Sequence, residues 1–570
     1  MAPLPSLAEE FPAPDLGTWR ALVEKGLKGA DFDQRLLART EDGIPLPPLF
    51  TRHDELPEPG LPGTAPWVRG SAAARTGWDI RALCRLPDPL AANRAILADL
   101  AGGASSILLD AADLDPADLR LVLDGVMLDL APVYLRRSIE DLQRRDLLPA
   151  GVIVVHDPVE CWAAGLVDAP GRMLDAISGE GFARMPDLRL AVGGAVFDDA
   201  GASDAEEIGL TAAAVIGHAR RLDEMGVAPE LALGRMILGV TTSADFFAGI
   251  AKLRALRRLW GRLTEVLGID LPPVVHATTS ARMLARYDAS TNLLRNTIAA
   301  AAAGMGGADA VTVLPHDHAI GLPKPFAARM ARNIQNVLQE ESRLGLVADP
   351  AGGSWYVEQL TDGLAKAAWA IVNKVEAAGG LDAACRDGLV EALLAERREA
   401  RRQRIATRER TIVGISRFSD AAERTAPSRP AEPERRLPRV RDAAPFEDLR
   451  ERVLAAETPP VRIVTLGPAT RHAARLGFGL DLFAAAGLRT VVTDDAGSGS
   501  ARLSVLAGAD EDYAEQGPDL ARRLAASGEV HLLGRPKALE ETLRAAGVTR
   551  FVAQGEDMVA YLGEVVERLA

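Results

Sequence analysis

The chain has 570 residues, 48% apolar, 25% charged and 4% aromatic; this excludes a disordered or fibrous chain and exceeds one hydrophobic core, so two or three domains are expected. Its net charge of −14 gives no overall pull toward nucleic acid or anionic membrane, and neither is expected as a partner. Met1–Gln34 has no apolar signal core, no run of about 18 apolar residues lacks a charge, and Cys84, Cys161 and Cys385 have no metal spacing; a cytoplasmic protein with reduced thiols is expected.

Residues 1–81 read as an extended arm. Thr18–Lys25 and Asp31–Leu37 suit short helices, and Pro45, Pro47, Pro48, Pro57, Pro59, Pro62 and Pro66 block regular structure after them. Over 82–360 short apolar runs alternate with helical stretches. The expected strands are Ser106–Asp110, Val126–Leu130, Gly151–Val155, Leu188–Gly194, Met236–Thr242, Pro273–Thr278 and Ala308–Leu314. The expected helices include Ala205–Met225, Ala244–Leu267, Asp288–Ala303 and Lys324–Leu344. Strands apolar on both faces suit a helix-covered parallel sheet, and seven βα repeats point to a (β/α)8 TIM barrel with one strand unplaced; a doubly wound open sheet is the alternative.

Residues 361–423 read as helical, with the basic stretch Arg397–Arg410 taken as a solvated face or an interdomain surface. The Pro- and Arg-rich segment 424–445 reads as a linker. In 446–570, strands at Val461–Leu466, Thr490–Thr493, Leu503–Leu506, Val530–Leu533 and Arg550–Val552 alternate with helices at Thr470–Ala486, Pro518–Ala526, Lys537–Ala546 and Asp557–Leu569. That is the pattern of a flavodoxin-like, doubly wound domain.

Few residues suggest chemistry. His316 and His318 follow a barrel strand, but two histidines at i and i+2 need further metal ligands, and none clusters elsewhere; the stretch reads as a polar loop. His276, near the end of Pro273–Thr278, suits either a barrel-mouth acid–base group or a buried histidine bonded to backbone. Ala496–Ser500 lacks the GxxxxGK[ST] and GxGxxG patterns and reads as a turn. His472 opens a helix after the strand Val461–Leu466; it can ligate a cofactor at the carboxyl edge of the sheet, but a cap or surface histidine is the plainer reading. These residues form no catalytic constellation.

Several stretches resemble the methylmalonyl-CoA mutase family: Thr40–Thr51 (TEDGIPLPPLFT), Pro66–Gly70 (PWVRG), Phe246–Trp260 (FFAGIAKLRALRRLW), Ala331–Ser342 (ARNIQNVLQEES) and Ala348–Thr361 (ADPAGGSWYVEQLT). The resemblance covers most of residues 40–400. It implies a (β/α)8 barrel followed by a flavodoxin-like cobalamin-binding-type domain, and a radical rearrangement interconverting methylmalonyl-CoA and succinyl-CoA with adenosylcobalamin supplying the chemistry.

The departures from the family pattern imply which subunit this is. Where catalytic members carry GYHMxEAGA, this chain has Gly194–Ala202, and Val196 stands in place of the histidine that donates to the thioester carbonyl. Where they carry HxQTSGWSLT, it has His276–Ala285, without the Gln or the Trp. The family's active-site Tyr has no counterpart between Gly70 and Trp78, and Gly151–Asp157 stands where TIQND would be. Against the cobalamin fingerprint DxHxxG the chain keeps His472, but the Asp is Thr470 and the Gly is Arg475. The later Gly-Gly becomes Leu533-Gly534, and no Ser-x-Leu is evident.

No residue of this chain is therefore assigned a catalytic, cofactor-binding or metal-ligating role. The resemblance implies the non-catalytic small (beta) subunit of a heterodimeric mutase. It would stabilise a large (alpha, catalytic) subunit in which adenosylcobalamin and substrate sit, with the arm helping the pairing. Without substrate to admit, runs such as Gly151–Val155 and Ala310–Leu314 are expected to fill the barrel. The alternatives are a catalytically active acyl-CoA mutase with altered substrate scope and a chaperone-like partner of a mutase.

Overall fold

The computed structural model describes residues 15–570 except 57, 75–76, 113, 138–148, 424–426, 429, 432 and 496–500. The arm begins with helices Leu16–Gly26 and Phe32–Leu36, capped by Asp15 and Asp31. Two short antiparallel strands follow, β1 (Ala38–Arg39) and β2 (Pro45–Leu46).

Eight parallel strands then close a barrel: β3 (Asp79–Cys84), β4 (Ser106–Asp110), β5 (Val133–Arg136), β6 (Ile153–His156), β7 (Leu188–Val192), β8 (Met236–Thr242), β9 (Val275–Thr279) and β10 (Ala310–Thr312). β10 pairs with β3, so the sheet has no edge and the open-sheet alternative falls. The strand that the sequence left unplaced is β3, which begins at Asp79, three residues ahead of the expected start of the barrel. The expected strand Val126–Leu130 is corrected. That run is a turn closed by Leu130 N–H donating to the Met127 carbonyl, with Met127 and Leu130 exposed. β5 lies just beyond it, where the β-formers Val133 and Tyr134 start.

Outward-facing Val154, Leu190, Val192, Leu238, Val240, Val275, Ala277 and Val311 pack beneath helices including Asp204–Glu224 and Phe246–Leu267. The inward face is different. Arg81 donates to Asp79 (2.7 Å) and Ser106 (3.0 Å) and stacks on the Tyr134 ring at 3.6 Å. The Thr312 hydroxyl donates to the Arg81 carbonyl (2.9 Å) and accepts from His276 Nε2 (2.8 Å). The expectation that Gly151–Val155 and Ala310–Leu314 fill the barrel is corrected for Val154, Val311 and Val313, which period-two alternation turns toward the helices; Val155 and Leu108 stay buried on the alternate face, and a hydrogen-bonded polar layer shares the interior with them.

The stretches that carry the family resemblance meet in space. Arg254, fully buried on the helix Phe246–Leu267, pairs with Asp349 and Glu358 and donates to Thr361. Arg69 of the arm reaches the other oxygen of Asp349 at 3.1 Å. Trp78 donates to Gln335 at 3.0 Å, and Gly261 leaves room for Pro66, whose carbonyl oxygen lies 2.7 Å from where a Cβ would stand. The basic stretch after Arg397 is largely an internal clasp: Arg397 bonds Glu206, while Arg398 and Arg401 donate to the carbonyls of Ala200, Gly201 and Ala202.

The second sheet holds β11 (Val461–Thr465), β12 (Thr490–Thr493), β13 (Leu503–Ala507), β14 (Glu529–Leu533) and β15 (Val548–Val552) in the order β12-β11-β13-β14-β15, all parallel. This is the flavodoxin-type winding. Its core takes in Tyr287, Ile405, Ile412 and Ile415 from the chain before 424–445. The three cysteines are free and buried. Among the described residues no helix is long and apolar enough to cross a membrane.

Asp349→Ala would leave Arg254 buried beside Glu358 alone and free Arg69. We expect a loss of about 3–5 kcal/mol, read as a lower urea midpoint at unchanged slope; an unchanged midpoint would show that this junction does not hold arm and barrel together.

Candidate functional site at the barrel mouth

A cavity of about 1780 Å³ opens at the carboxyl ends of the barrel strands, the end where barrels of this kind carry their sites. Its floor includes Arg85, Asp110, Arg136, Thr278 and Thr312. Its roof is the chain-terminal helix Met558–Leu569, through Val559, Ala560 and Gly563, and Arg439–Asp442 close one side.

The sequence candidates disperse around it. His276 lies in the polar layer below; burial, then Arg81 and Arg136, push its pKa well down, so the ring is neutral. His318 lines the cavity, and burial followed by the charges of Arg85 and Arg439 brings it down to about 4. His316 instead stands edge-on to Phe326 at 6.0 Å. Asp317, between them, accepts from the Lys324 N–H at 3.0 Å. Among the described residues no group of three or more His, Cys, Asp or Glu converges on a metal position.

The stretch Gly194–Ala202 forms a short helix, Ala195–Asp199, that starts at a glycine with φ of +77°. A Cβ on Gly194 would lie 2.5 Å from the Gly239 carbonyl carbon, so only glycine lets this turn sit against β8. Val196 faces the apolar core. Asp198 accepts from Ser280 Oγ (2.5 Å) and Arg282 Nη2 (2.6 Å). Burial alone would raise its pKa, but Arg282, Lys252 and Ser280 outweigh that and hold it at about 2. Arg282 also reaches Asp442 at 3.5 Å, and the Asp442 N–H donates to the Arg282 carbonyl at 3.0 Å. Beside it, Asp199 is raised to about 7 by burial and by Asp198, with Arg439 opposing. Behind this cluster, buried Lys252 bridges Asp204 and Glu207, each at 2.7 Å.

At the carboxyl edge of the second sheet, His472 directs Nδ1 at the Gly467 carbonyl (3.1 Å), which sets its tautomer where Thr470 supplies no carboxylate. The Arg475 guanidinium donates to the Gly508 carbonyl and to Asp510, both at 2.5 Å, and lies 5.0 Å from the Tyr513 ring centroid. Its Nε would be 2.8 Å from a Cβ on Gly534, so it covers the ends of β13 and β14. An imidazole with no carboxylate behind it, on a sheet edge whose β13 and β14 ends the Arg475 guanidinium covers, does not fit a corrin ring. Neither His472, Arg475 nor Gly534 lines the barrel-mouth cavity. Ala496–Ser500 lies outside the described residues.

Sequence reasoning missed two groupings here. Asp198 and Arg282 are 84 residues apart, and no local pattern joins them. Arg85 follows β3, and Asp110 and Arg136 end the neighbouring β4 and β5, but with β5 misplaced Arg136 carried no signal; the β-formers of Val133–Leu135 followed by two arginines were the available one.

The model of the family described as methylmalonyl-CoA mutase matches residues 182–457. A methylmalonyl-CoA mutase small subunit from Streptomyces virginiae is 39% identical over 617 aligned positions, spanning 99% of this chain and 98% of its own length. The methylmalonyl-CoA mutase small subunit of Propionibacterium freudenreichii subsp. shermanii is 33% identical, over 92% of this chain and 89% of its own. A methylmalonyl-CoA mutase from Cereibacter sphaeroides is 29% identical, over 72% of this chain and 65% of its own.

Because Asp198 is held at about 2 against an ordinary 3.8, its contribution to stability is complete above pH 3.8 and is lost as pH falls through 2. Arg282→Ala should therefore cost about 3–5 kcal/mol near neutrality. The gap from wild type should narrow as the pH of denaturant titrations is lowered below about 4; a gap independent of pH would contradict the pairing.

Proposed function

The chain belongs to the methylmalonyl-CoA mutase family, and from that premise we propose that it is the non-catalytic small subunit of a heterodimeric mutase, stabilising a large catalytic subunit that holds adenosylcobalamin and the acyl-CoA. The observation that carries this reading is the separation of the two half-sites. The barrel cavity is roofed by the helix Met558–Leu569, and neither His472 nor the Arg475 and Gly534 of its sheet edge lines it. A cofactor held by His472 while reaching into the barrel mouth calls for one shared space, and that separation favours a chain that leaves the cofactor to its partner.

Two further features favour it. Val196 has no proton to donate where the family's catalytic members, by resemblance, carry histidine, and its side chain packs in the core. Arg282 stands within the HxQTSGWSLT-like stretch and is committed to Asp198 and Asp442. A protein partner suits the aromatic patch in which Tyr356 packs against Phe50 (5.1 Å) and Phe247 (5.3 Å); Phe247 and Trp355, next to Tyr356 in the chain, are exposed. The same reading keeps the division into arm, barrel, helical segment, linker and second domain, in a cytoplasmic protein with neither nucleic acid nor membrane as partner.

Titrating the purified chain with adenosylcobalamin, alone and co-purified with a large-type subunit, tests the assignment. We expect no saturable binding and no acyl-CoA isomerisation by the chain alone, and both in the complex. Micromolar binding with turnover by the chain alone would instead make it an active mutase with a rebuilt site.

A further inference from the structure

β3, β4 and β5 run parallel and in register, with Cys84 opposite Leu109 and Asp110 opposite Arg136. Arg85, which directly follows β3, therefore stands level with Asp110 and Arg136, the last residues of β4 and β5, across the barrel mouth. Leu83 and Leu108 lie two residues before Arg85 and Asp110, and all four line the cavity floor, as period-two alternation requires of one strand face. Two guanidiniums thus share one carboxylate.

They share it loosely. Arg85 Nε and Arg136 Nη1 each stand 3.9 Å from Asp110 Oδ2, beyond hydrogen-bond distance. Among the described residues neither guanidinium has a hydrogen-bond partner, whereas Arg286, Arg398 and Arg401 around the same cavity all do. The side chains of Arg85 and Arg136 are 45% and 46% exposed, and that exposure is into the cavity they line. The local balance is one positive charge in excess. Around the whole cavity nine arginines face seven carboxylates, in a chain whose net charge is −14. Thr278 and His318 line the same inner end. The ring of His318 is kept neutral by burial and by Arg85, so it offers a hydrogen bond without adding charge.

We propose that this inner end of the cavity binds a small dianionic oxyanion, a phosphate monoester or a dicarboxylate, held between Arg85 and Arg136 with Asp110 spacing the two forks. A guanidinium presents parallel N–H donors that match two oxygens of such an anion, and two of them match both ends. Enclosure by protein strengthens the attraction over its value in water. The rest of the cavity leaves room for the remainder of a metabolite. This site is independent of which subunit carries the cofactor.

Isothermal titration of the full chain with inorganic phosphate, and separately with malonate, at constant ionic strength tests it. We expect one saturable site, with Arg85→Ala and Arg136→Ala each weakening binding roughly tenfold or more. The remote surface variant Arg262→Ala should bind as wild type. Whichever probe binds more tightly identifies the source as phosphate ester or dicarboxylate. If an alanine variant does not fold, Arg85→Gln and Arg136→Gln are read in the same way, together with slowed amide exchange at the ends of β3, β4 and β5 on saturation of the wild type. Failure of both probes to saturate the wild type, or binding by the Arg85 and Arg136 variants equal to wild type, overturns the proposal.

Discussion

A charged group buried beside the mouth of a barrel must be neutralised where it sits, and the chain Asp198–Arg282–Asp442 meets that constraint here. Asp198 belongs to the turn after β7, Arg282 to the loop after β9, and Asp442 to the segment leading into the second domain. One guanidinium therefore ties three parts of the polypeptide that are far apart in sequence. The Val440 N–H donating to the Asp199 carbonyl (2.7 Å) and the Asp442 N–H donating to Arg282 run alongside. These bonds set where the second domain sits over the barrel, and with it the roof of the cavity. Burial makes the cluster costly to break, because each charge left without its partner remains in a low-dielectric surround.

The stretches by which the family is recognised do a different job. Arg69, Arg254, Asp349 and Glu358 form one buried junction between the arm, a barrel helix and the turn before the helix Trp355–Ala377. Trp78 and Gln335 form a second. Their side chains are fixed by each other, away from the cavity. Resemblance along them reports a shared scaffold, and Val196 and Arg475 lie outside these joints. A fold can keep its internal joints while its sites change.

The two ends at which a doubly wound sheet and a barrel usually receive ligands have separate fates in this chain. At the sheet, Arg475 spends its donors on Gly508 and Asp510 and lies over the Tyr513 ring, so the edge is satisfied internally. At the barrel, Arg85 and Arg136 meet among the described residues only Asp110, at 3.9 Å, and stay about half exposed. The contrast is electrostatic: a guanidinium whose donors are all taken closes an edge, and one loosely paired does not.

The succession of strands and helices was legible from residues alone. Apolar runs bounded by Gly, Pro and polar residues mark β4, β6 to β10 and all five strands of the second sheet, because period and propensity are local properties. β3 and β5 were not legible, since Arg81 and Arg136 interrupt the apolar pattern with inward-facing charge. The sequence by itself therefore determined the fold class and the family resemblance, together with the expectation that Val196 stands where the resembled pattern has histidine. Only the tertiary structure decided that a polar layer of Arg81, His276 and Thr312 lies inside the barrel, that Asp198 belongs to Arg282, and that the cavity faces the helix Met558–Leu569 rather than His472. Each of these is a choice of partner across tens to hundreds of residues, made by barrel closure and by the cost of leaving a buried charge alone, and neither leaves a periodic mark on the chain.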